Sequence, residues 1–119
     1  MIAVSEIRFD SARPVDGYGP GFFRIGGKVL HGPVLVTAEA ARSWGGLEDL
    51  APLVALAGRI DVLILGTGAG IARAPATLAA ALEAACIGTE AMDSASAART
   101  YNVLLSEGRR VAAALLTVG

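Results

Sequence analysis

The stretch from Gly88 to Arg110 constrains the fold most, because it predicts a short strand, a capped helix and a helix end in that order. Asp93 is a good N-cap, since its carboxylate can accept hydrogen bonds from the free N–H groups of the first helical turn. Gly108 suits the end of this helix, because glycine adopts a positive φ without a steric clash. Apolar residues recur between them at spacings of three and four, at Ala97, Tyr101, Leu104 and Leu105. The stretch therefore predicts a helix of about four turns with one buried face.

The segments on both sides of this stretch extend the alternation of strands and helices. Asp61–Gly66 contains four consecutive apolar residues, which is typical of a strand buried on both faces. Pro75 opens a helix rich in alanine and leucine, and Val111–Val118 is an almost wholly apolar strand. The order strand, helix, strand, helix, strand predicts a βαβαβ unit with right-handed crossovers in a parallel or mixed sheet.

The front half of the chain predicts short strands with tight connections. Ile2–Phe9 alternates and indicates a strand, whereas Ser11–Gly21 is rich in proline and glycine and indicates a loop. The Gly26-Gly27 pair favours a hairpin turn. We expect an antiparallel meander around it, formed by Phe22–Ile25, Lys28–His31 and Val34–Thr37.

Two residues characterise the link between the halves. Trp44 is expected to be a large buried apolar residue rather than part of a ligand platform. Pro52 suits the first turn of a short helix, which Gly58 closes. Together these elements predict an α/β fold in which residues 1–119 form a single layered domain, with an N-terminal antiparallel meander packed against a C-terminal βαβαβ mixed sheet and helices.

Charge and hydropathy exclude several classes of protein. A formal net charge of −1 over 119 residues provides no basic stripe for nucleic acid. No apolar run reaches the roughly 18 residues of a membrane span, and the N-terminus lacks the pattern of a signal peptide. We therefore expect a cytoplasmic protein with no nucleic-acid partner and no membrane span, and the sequence leaves its oligomeric state open.

Cys86 and His31 are each the only residue of their type, so the sequence predicts neither a disulfide nor a zinc site. Cys86 is expected to be a small buried hydrophobic residue rather than a reactive thiol. Tyr101 is expected to place its ring in the core, with its hydroxyl bonded to one partner. Because neither paired acids nor an activated nucleophile is found, the sequence predicts no catalytic residue, no metal and no cofactor.

The glycine-rich segment after the Asp61–Gly66 strand does not match a dinucleotide-binding motif. Ile71 replaces the third glycine or alanine of that motif, and the next helix opens later, at Pro75. No Lys-Ser or Lys-Thr pair follows, which excludes a P-loop. The glycines are expected to let the chain leave the sheet tightly. An alternative stays open, in which the N–H groups of Gly66 to Gly68 bind a small anion.

A candidate ligand site follows from the predicted sheet. Two strands, Asp61–Leu65 and Ile87–Met92, end at the sheet edge where open α/β sheets usually bind ligands. An arginine and an amide on one flank of the following helix suit an acidic group. The candidate ligand-binding residues are Gly66, Thr67, Gly68, Asp93, Arg99 and Asn102.

Several motifs together resemble a known family: LILGTG, a proline opening the next helix, and IGTEAMDSASAARTYNVLLSEGRRVAAAL. It is a family of small domains of unknown biochemical activity that includes the mitochondrial NADH–ubiquinone oxidoreductase (complex I) assembly factor three and the adipogenesis-associated domain protein. The resemblance covers nearly the whole chain, because GYGPGFFRIGG, GPVLV and Trp44 also fit. It implies a layered α/β domain and carries no catalytic assignment. Ser94 stands where threonine is expected, which keeps the hydroxyl.

Two hypotheses of function follow. The first is a non-catalytic protein-interaction or assembly-accessory domain with an unidentified protein partner, as the resemblance implies. The alternative is a protein that binds a small anion or small ligand, with or without a reaction, between the Gly66–Gly68 turn and the start of the Asp93 helix. The alternative predicts a pocket joining Thr67 and Arg99, and a phosphate- or carboxylate-dependent melting shift that Arg99→Ala abolishes.

Overall fold

The computed structural model describes residues 13–119, so the strand predicted at Ile2–Phe9 lies outside the described residues. The described part is a mixed α/β structure. Its eight strands are β1 (Val15–Gly19), β2 (Phe22–Ile25), β3 (Lys28–His31), β4 (Val34–Thr37), β5 (Ala41–Ser43), β6 (Val62–Gly66), β7 (Gly88–Met92) and β8 (Val111–Leu115). Its three helices are α1 (Ala51–Val54), α2 (Ala76–Ala84) and α3 (Ser94–Ser106).

The strands form two sheets. The smaller is an antiparallel meander in the order β1-β2-β3, and the larger has five strands in the order β5-β4-β8-β6-β7. Strand β6 pairs in parallel with both β7 and β8, whereas β4 pairs antiparallel with β5 and β8. The predicted combination of an antiparallel meander with a βαβαβ mixed sheet is therefore confirmed.

The five-stranded sheet is the middle layer. One face packs against α3 and the small sheet, and this core contains Phe23, Ile64, Ala97 and Tyr101. The other face packs against α1, α2 and Trp44, with Leu53, Leu78 and Leu82 at its centre. Trp44 is only 3% exposed, as predicted, and its indole nitrogen donates to the carbonyl of Asp49 at 3.0 Å. A fully buried leucine contributes about 1.5–3 kcal/mol, so both layers contribute to stability.

Helix α3 begins and ends where the sequence predicts. Asp93 is its N-cap, and the described bounds are Ser94–Ser106. Gly108, just beyond the helix, has φ +77°, the left-handed conformation that a glycine adopts most readily. The predicted stripe is buried at Ala97 and Tyr101 and partly buried at Leu104 and Leu105.

The prediction of a loop at Ser11–Gly21 is wrong over Val15–Gly19, which forms β1. A register shift between Val15 and Gly17 accommodates the irregular backbone, and Gly21 (φ +78°) makes the turn into β2. The prolines and glycines therefore mark the ends and a bulge of a strand rather than an irregular loop.

The prediction that Val34–Thr37 belongs to the meander is also wrong. The backbone turns away at Gly32 (φ +85°), and β4 inserts between β5 and β8 of the large sheet. The physical reason is burial: Val34, Leu35 and Val36 are all buried, which suits a central strand covered on both faces.

Cys86 differs from its prediction as well. Its side chain is exposed, and its backbone has φ +61°, in the left-handed region that non-glycine residues rarely occupy. Cys86 follows the end of α2, where its N–H donates to the carbonyl of Glu83 at 3.0 Å. The residue therefore ends the helix instead of filling the core.

Candidate functional site

The turn after β6 and the start of α3 meet, as the sequence predicts, and Ser94 joins them. The backbone N–H of Ser94 donates to the carbonyl of Gly68 at 2.8 Å, and the N–H of Gly68 donates to Ser94 Oγ at 2.8 Å. The same hydroxyl donates to the carbonyl of Leu116 at 2.6 Å. Ser94 is fully buried, so this hydroxyl connects the β6 turn, the helix and the end of β8 away from water.

Gly66 allows this close contact. A Cβ at Gly66 would lie 2.7 Å from Ser94 Oγ and 2.8 Å from Leu115 Cδ2, and both distances are shorter than a Cβ atom tolerates. The β6 strand and the first turn of α3 therefore approach each other because residue 66 has no side chain.

Thr67 is held by contacts to its own turn and to the end of β7. Its N–H donates to the carbonyl of Met92 at 2.9 Å. Its hydroxyl lies 2.7 Å from the carbonyl of Gly70 and accepts from the N–H of Ala72 at 3.0 Å. The N–H groups of Thr67 and Gly68 are thus both engaged by protein acceptors, and the binding of an anion at this turn stays a prediction.

Asp93 and Arg99 interact with the same turn of α3. The Asp93 carboxylate accepts from the N–H of Ser96 at 3.0 Å, which confirms the predicted cap. Hydrogen bonds from Ser96 hold the pKa of Asp93 below its usual value, and the charge of Arg99 acts in the same direction. Arg99 is exposed, and its Nη2 donates to Ser96 Oγ of the same helix at 3.2 Å.

Asn102 lies far along α3 from the glycine turn. It is nine residues beyond Asp93, which places it about 13 Å farther along the helix axis. Its amide contacts Val15 of β1, where Nδ2 donates to the carbonyl and Oδ1 accepts from the N–H, both at 2.8 Å. The structure therefore brings Gly66, Thr67, Gly68 and Asp93 together and places Asn102 against the small sheet.

Tyr101 also binds the small sheet. Its hydroxyl donates to the carbonyl of Arg13 at 2.9 Å, which confirms the predicted single partner. Burial raises the pKa of this phenol, so the hydroxyl keeps its proton across the physiological range.

A charged groove that the sequence does not predict lies at the opposite end of the large sheet. It has a volume of about 410 Å³ and lies where β4 ends and β8 begins. The groove is lined by four arginines and is named the arginine groove here: Arg42, Arg59, Arg109 and Arg110. Leu35, Leu56 and Ile60 contribute apolar surface to it. None of the six predicted ligand-binding residues lines it.

Two of these arginines form ion pairs. Arg110 binds Asp61 at 2.9 Å, and this hydrogen bond lowers the pKa of Asp61 and raises that of Arg110. Arg59 lies 3.3 Å from Glu39, which links the loop after α1 to the loop between β4 and β5. Both pairs are largely exposed, so each contributes little to stability.

The other two arginines of the groove, Arg42 and Arg109, form no ion pair with any residue in the range 13–119. Arg42 Nε donates to the carbonyl of its neighbour Ser43 at 3.3 Å. Arg109 has no side-chain hydrogen bond or ion pair to any residue within the described range 13–119. The one sequence signal for this groove was the Arg109-Arg110 pair, which also suits the negative end of α3. Arg42 and Arg59 lie far away in the sequence, and only the folded chain brings them to the same groove.

Residues 13–119 contain no group of three His, Cys, Asp or Glu side chains arranged to hold a metal ion. In the same range, no helix is both long enough and apolar enough to cross a bilayer.

The layered sheets define a small α/β protein, with the glycine-rich turn at one end of the large sheet and the arginine groove at the other. Comparisons with known proteins identify its family. The chain belongs to the family described as a protein of unknown function (DUF498/DUF598), whose model matches residues 15–116. An uncharacterized protein of Rhodobacter capsulatus is 58% identical over 115 residues, covering 97% of this chain and 93% of that protein.

Two further relatives connect this chain to a named role and to a solved structure. The NADH dehydrogenase [ubiquinone] 1 alpha subcomplex assembly factor 3 of Danio rerio is 31% identical over 122 residues, covering 97% of this chain and 70% of that protein. A crystal structure described as an outer membrane protein from Bartonella henselae superposes with a TM-score of 0.83 at 32% identity, covering 93% of this chain and 99% of that chain. The resemblance to the assembly-factor family predicted from the sequence is thus confirmed.

Proposed function

We propose that this protein is an interaction domain that assists the assembly of a larger protein complex. The observation that carries the proposal is the 31% identity to the Danio rerio assembly factor, which extends over 97% of this chain. The aligned region spans both sheets and all three described helices, so the two proteins share the fold on which such a binding surface would be built.

The complex named by that relative is NADH dehydrogenase, and we propose the corresponding complex as the target. The direct test is a deletion strain of a bacterium that carries this protein. Membranes from wild type, deletion and plasmid-complemented strains are compared on native gels stained for NADH dehydrogenase activity. We expect a loss of the assembled complex in the deletion and its recovery on complementation.

A second measurement identifies the partner. The tagged chain is purified from native extract, and co-purifying proteins are quantified by mass spectrometry against a tag-only control. Enrichment of a subunit or an assembly intermediate of the complex supports the proposal. Unchanged assembly in the deletion strain, together with no protein enriched above the control, overturns it.

We also propose that the protein acts in the cytoplasm. The support is the hydropathy of the chain, in which no apolar run reaches membrane-spanning length. Fractionation of cells expressing the chain at native level tests this, with a cytoplasmic enzyme and a periplasmic enzyme as markers. Recovery with the periplasmic marker contradicts it.

A further inference from the structure

A second groove adjoins the arginine groove and is also lined by more basic than acidic residues. It has a volume of about 550 Å³, and its basic residues are Arg13 and Lys28, so it is named the lysine groove here. The two grooves share Glu39 and Ala40 as a common wall. They are therefore neighbouring parts of one surface at the β4–β5 loop.

The side chains that line this surface are mainly basic, although Arg59 and Arg110 are each paired with a carboxylate. Six of the chain's ten basic residues line the two grooves: Arg13, Lys28, Arg42, Arg59, Arg109 and Arg110. Among residues 13–119, a single acidic residue, Glu39, lines them. The whole chain has a net charge of −1, so the positive charge results from the folding and not from the composition. Such a local concentration attracts acidic groups.

The grooves are also apolar between the charges. The half-buried Leu56 lines the arginine groove above the buried Leu35 and Ile60, and Val29 and Leu30 line the lysine groove. Val29 is 49% exposed, which is high for a valine in a strand. A ligand that fits both properties carries carboxylates and apolar side chains close together.

We propose that the arginine and lysine grooves together bind an acidic, partly apolar peptide segment of a partner protein. The inference rests on the proposed function, because it specifies the partner's chemistry. The Arg59–Glu39 pair shows that a carboxylate fits against this wall, at 3.3 Å from the guanidinium. Glu39 is 73% exposed, so a carboxylate of the partner can take its place at little cost.

Nucleic acid matches this surface less well. Among residues 13–119, those lining the two grooves include no aromatic side chain on which a base can stack. Their apolar side chains are aliphatic, and these pack well against leucine or isoleucine of a peptide.

The experiment selects peptides from a random peptide library displayed on phage, with the full chain as bait. We expect the selected sequences to be enriched in Asp and Glu next to Leu, Ile or Val. A labelled consensus peptide is then titrated by fluorescence anisotropy. Arg42→Gln and Arg109→Gln are each expected to weaken binding about two- to fivefold, because one exposed charged contact is lost in each.

Two further variants test whether the change in affinity depends on the grooves. Arg24→Gln removes the same charge from an exposed arginine of β2 that lines neither groove, and it is expected to leave the affinity unchanged. Glu39→Gln removes the competing carboxylate and is expected to tighten binding about threefold. Each variant is first checked by its melting temperature, since all of these side chains are exposed and the fold should persist.

Several results overturn the proposal. They are selected peptides without acidic enrichment, an equal loss of affinity for Arg24→Gln and Arg42→Gln, displacement of the peptide by single-stranded DNA at the same concentration, or selected sequences that match this chain and dimerise it.

Capture of the native partner distinguishes a failure of this proposal from a failure of the proposed function. If the partner is captured equally well by the Arg42→Gln/Arg109→Gln variant, the grooves are excluded and the assembly role stands. If assembly is unchanged in the deletion strain and no partner is captured, while acidic peptides still bind the grooves, the assembly role fails and the grooves stand.

Discussion

Asn102 binds the backbone of Val15 through two hydrogen bonds, each 2.8 Å long. The amide of this helix side chain therefore bonds both backbone groups of Val15, as the backbone of a neighbouring strand would. Tyr101, the preceding residue, binds the carbonyl of Arg13 at 2.9 Å. These two side chains hold the first strand of the small sheet against α3, which itself packs on the large sheet. Helix α3 therefore helps to connect the two sheets, which also pack directly against each other.

The first prediction concerns this pair. Asn102→Ala is expected to lower the free energy of unfolding by about 1–3 kcal/mol, because two backbone groups of Val15 lose their partners in a part-buried site. Urea unfolding measures the change. Val103→Ala is the control, since Val103 is 54% exposed on the same helix and should change stability by less than about 0.5 kcal/mol. Equal effects of the two substitutions would contradict the role of Asn102.

The elements that the sequence predicts well are those specified by neighbouring residues. The bounds of α3 follow from the Asp93 cap and from Gly108, and the hairpin follows from Gly26-Gly27. β1 is missed because its pairing with β2 outweighs the turn residues within it. The pairing of β4 with β8 joins residues almost eighty positions apart, and no local signal encodes it.

In the candidate site, too, the sequence predicts the local features and misses the contacts between distant residues. Thr67 and Asp93 come together because each ends a parallel strand, which the alternation of strands and helices predicts. Asn102 could not be placed from the sequence, since its partner Val15 lies 87 residues away. The arginine groove depends on loops from three parts of the chain, so its arginines appear unrelated in the sequence.

The second prediction concerns the contact between β6 and α3. Gly66→Ala is expected to destabilise the protein by about 1–3 kcal/mol, since the new methyl would lie 2.7 Å from Ser94 Oγ and 3.0 Å from Ser94 Cα. Thermal unfolding followed by circular dichroism measures it. Gly70→Ala is the matched control, because a Cβ there meets no atom within 4 Å. A smaller loss for Gly66→Ala than for Gly70→Ala would show that the contact is relieved by movement of the turn.

The third prediction concerns the buried hydroxyl of Ser94. Ser94→Ala leaves the N–H of Gly68 and the carbonyl of Leu116 without their present partner, and is expected to cost about 1–3 kcal/mol. Ser106→Ala is the control, because its exposed hydroxyl bonds only within α3. Chemical denaturation of both variants compares them. If Ser94→Ala is as stable as Ser106→Ala, the hydroxyl does not connect the turn to the end of β8.

The fourth prediction is that residues 1–119 unfold as one domain. Trp44 is the only tryptophan and is buried on the α1–α2 side of the large sheet, whereas α3 covers the other side. We expect tryptophan fluorescence and the helical circular dichroism signal to change at the same urea concentration. Two separated transitions would show that the two faces unfold independently.

The last prediction concerns pH and the cap of α3. Hydrogen bonds from Ser96 lower the pKa of Asp93 in the folded protein below its ordinary value of 3.8. The unfolded chain therefore binds the proton more readily, so this group's stabilisation is complete above pH 3.8 and is lost as the pH falls through the folded pKa. Asp93→Asn keeps a capping oxygen but cannot ionise. We expect its stability to approach that of the wild type as the pH falls below about 4, as measured by urea unfolding at each pH. A difference between the two proteins that stays constant over this range would mean that the ionised carboxylate does not stabilise the helix.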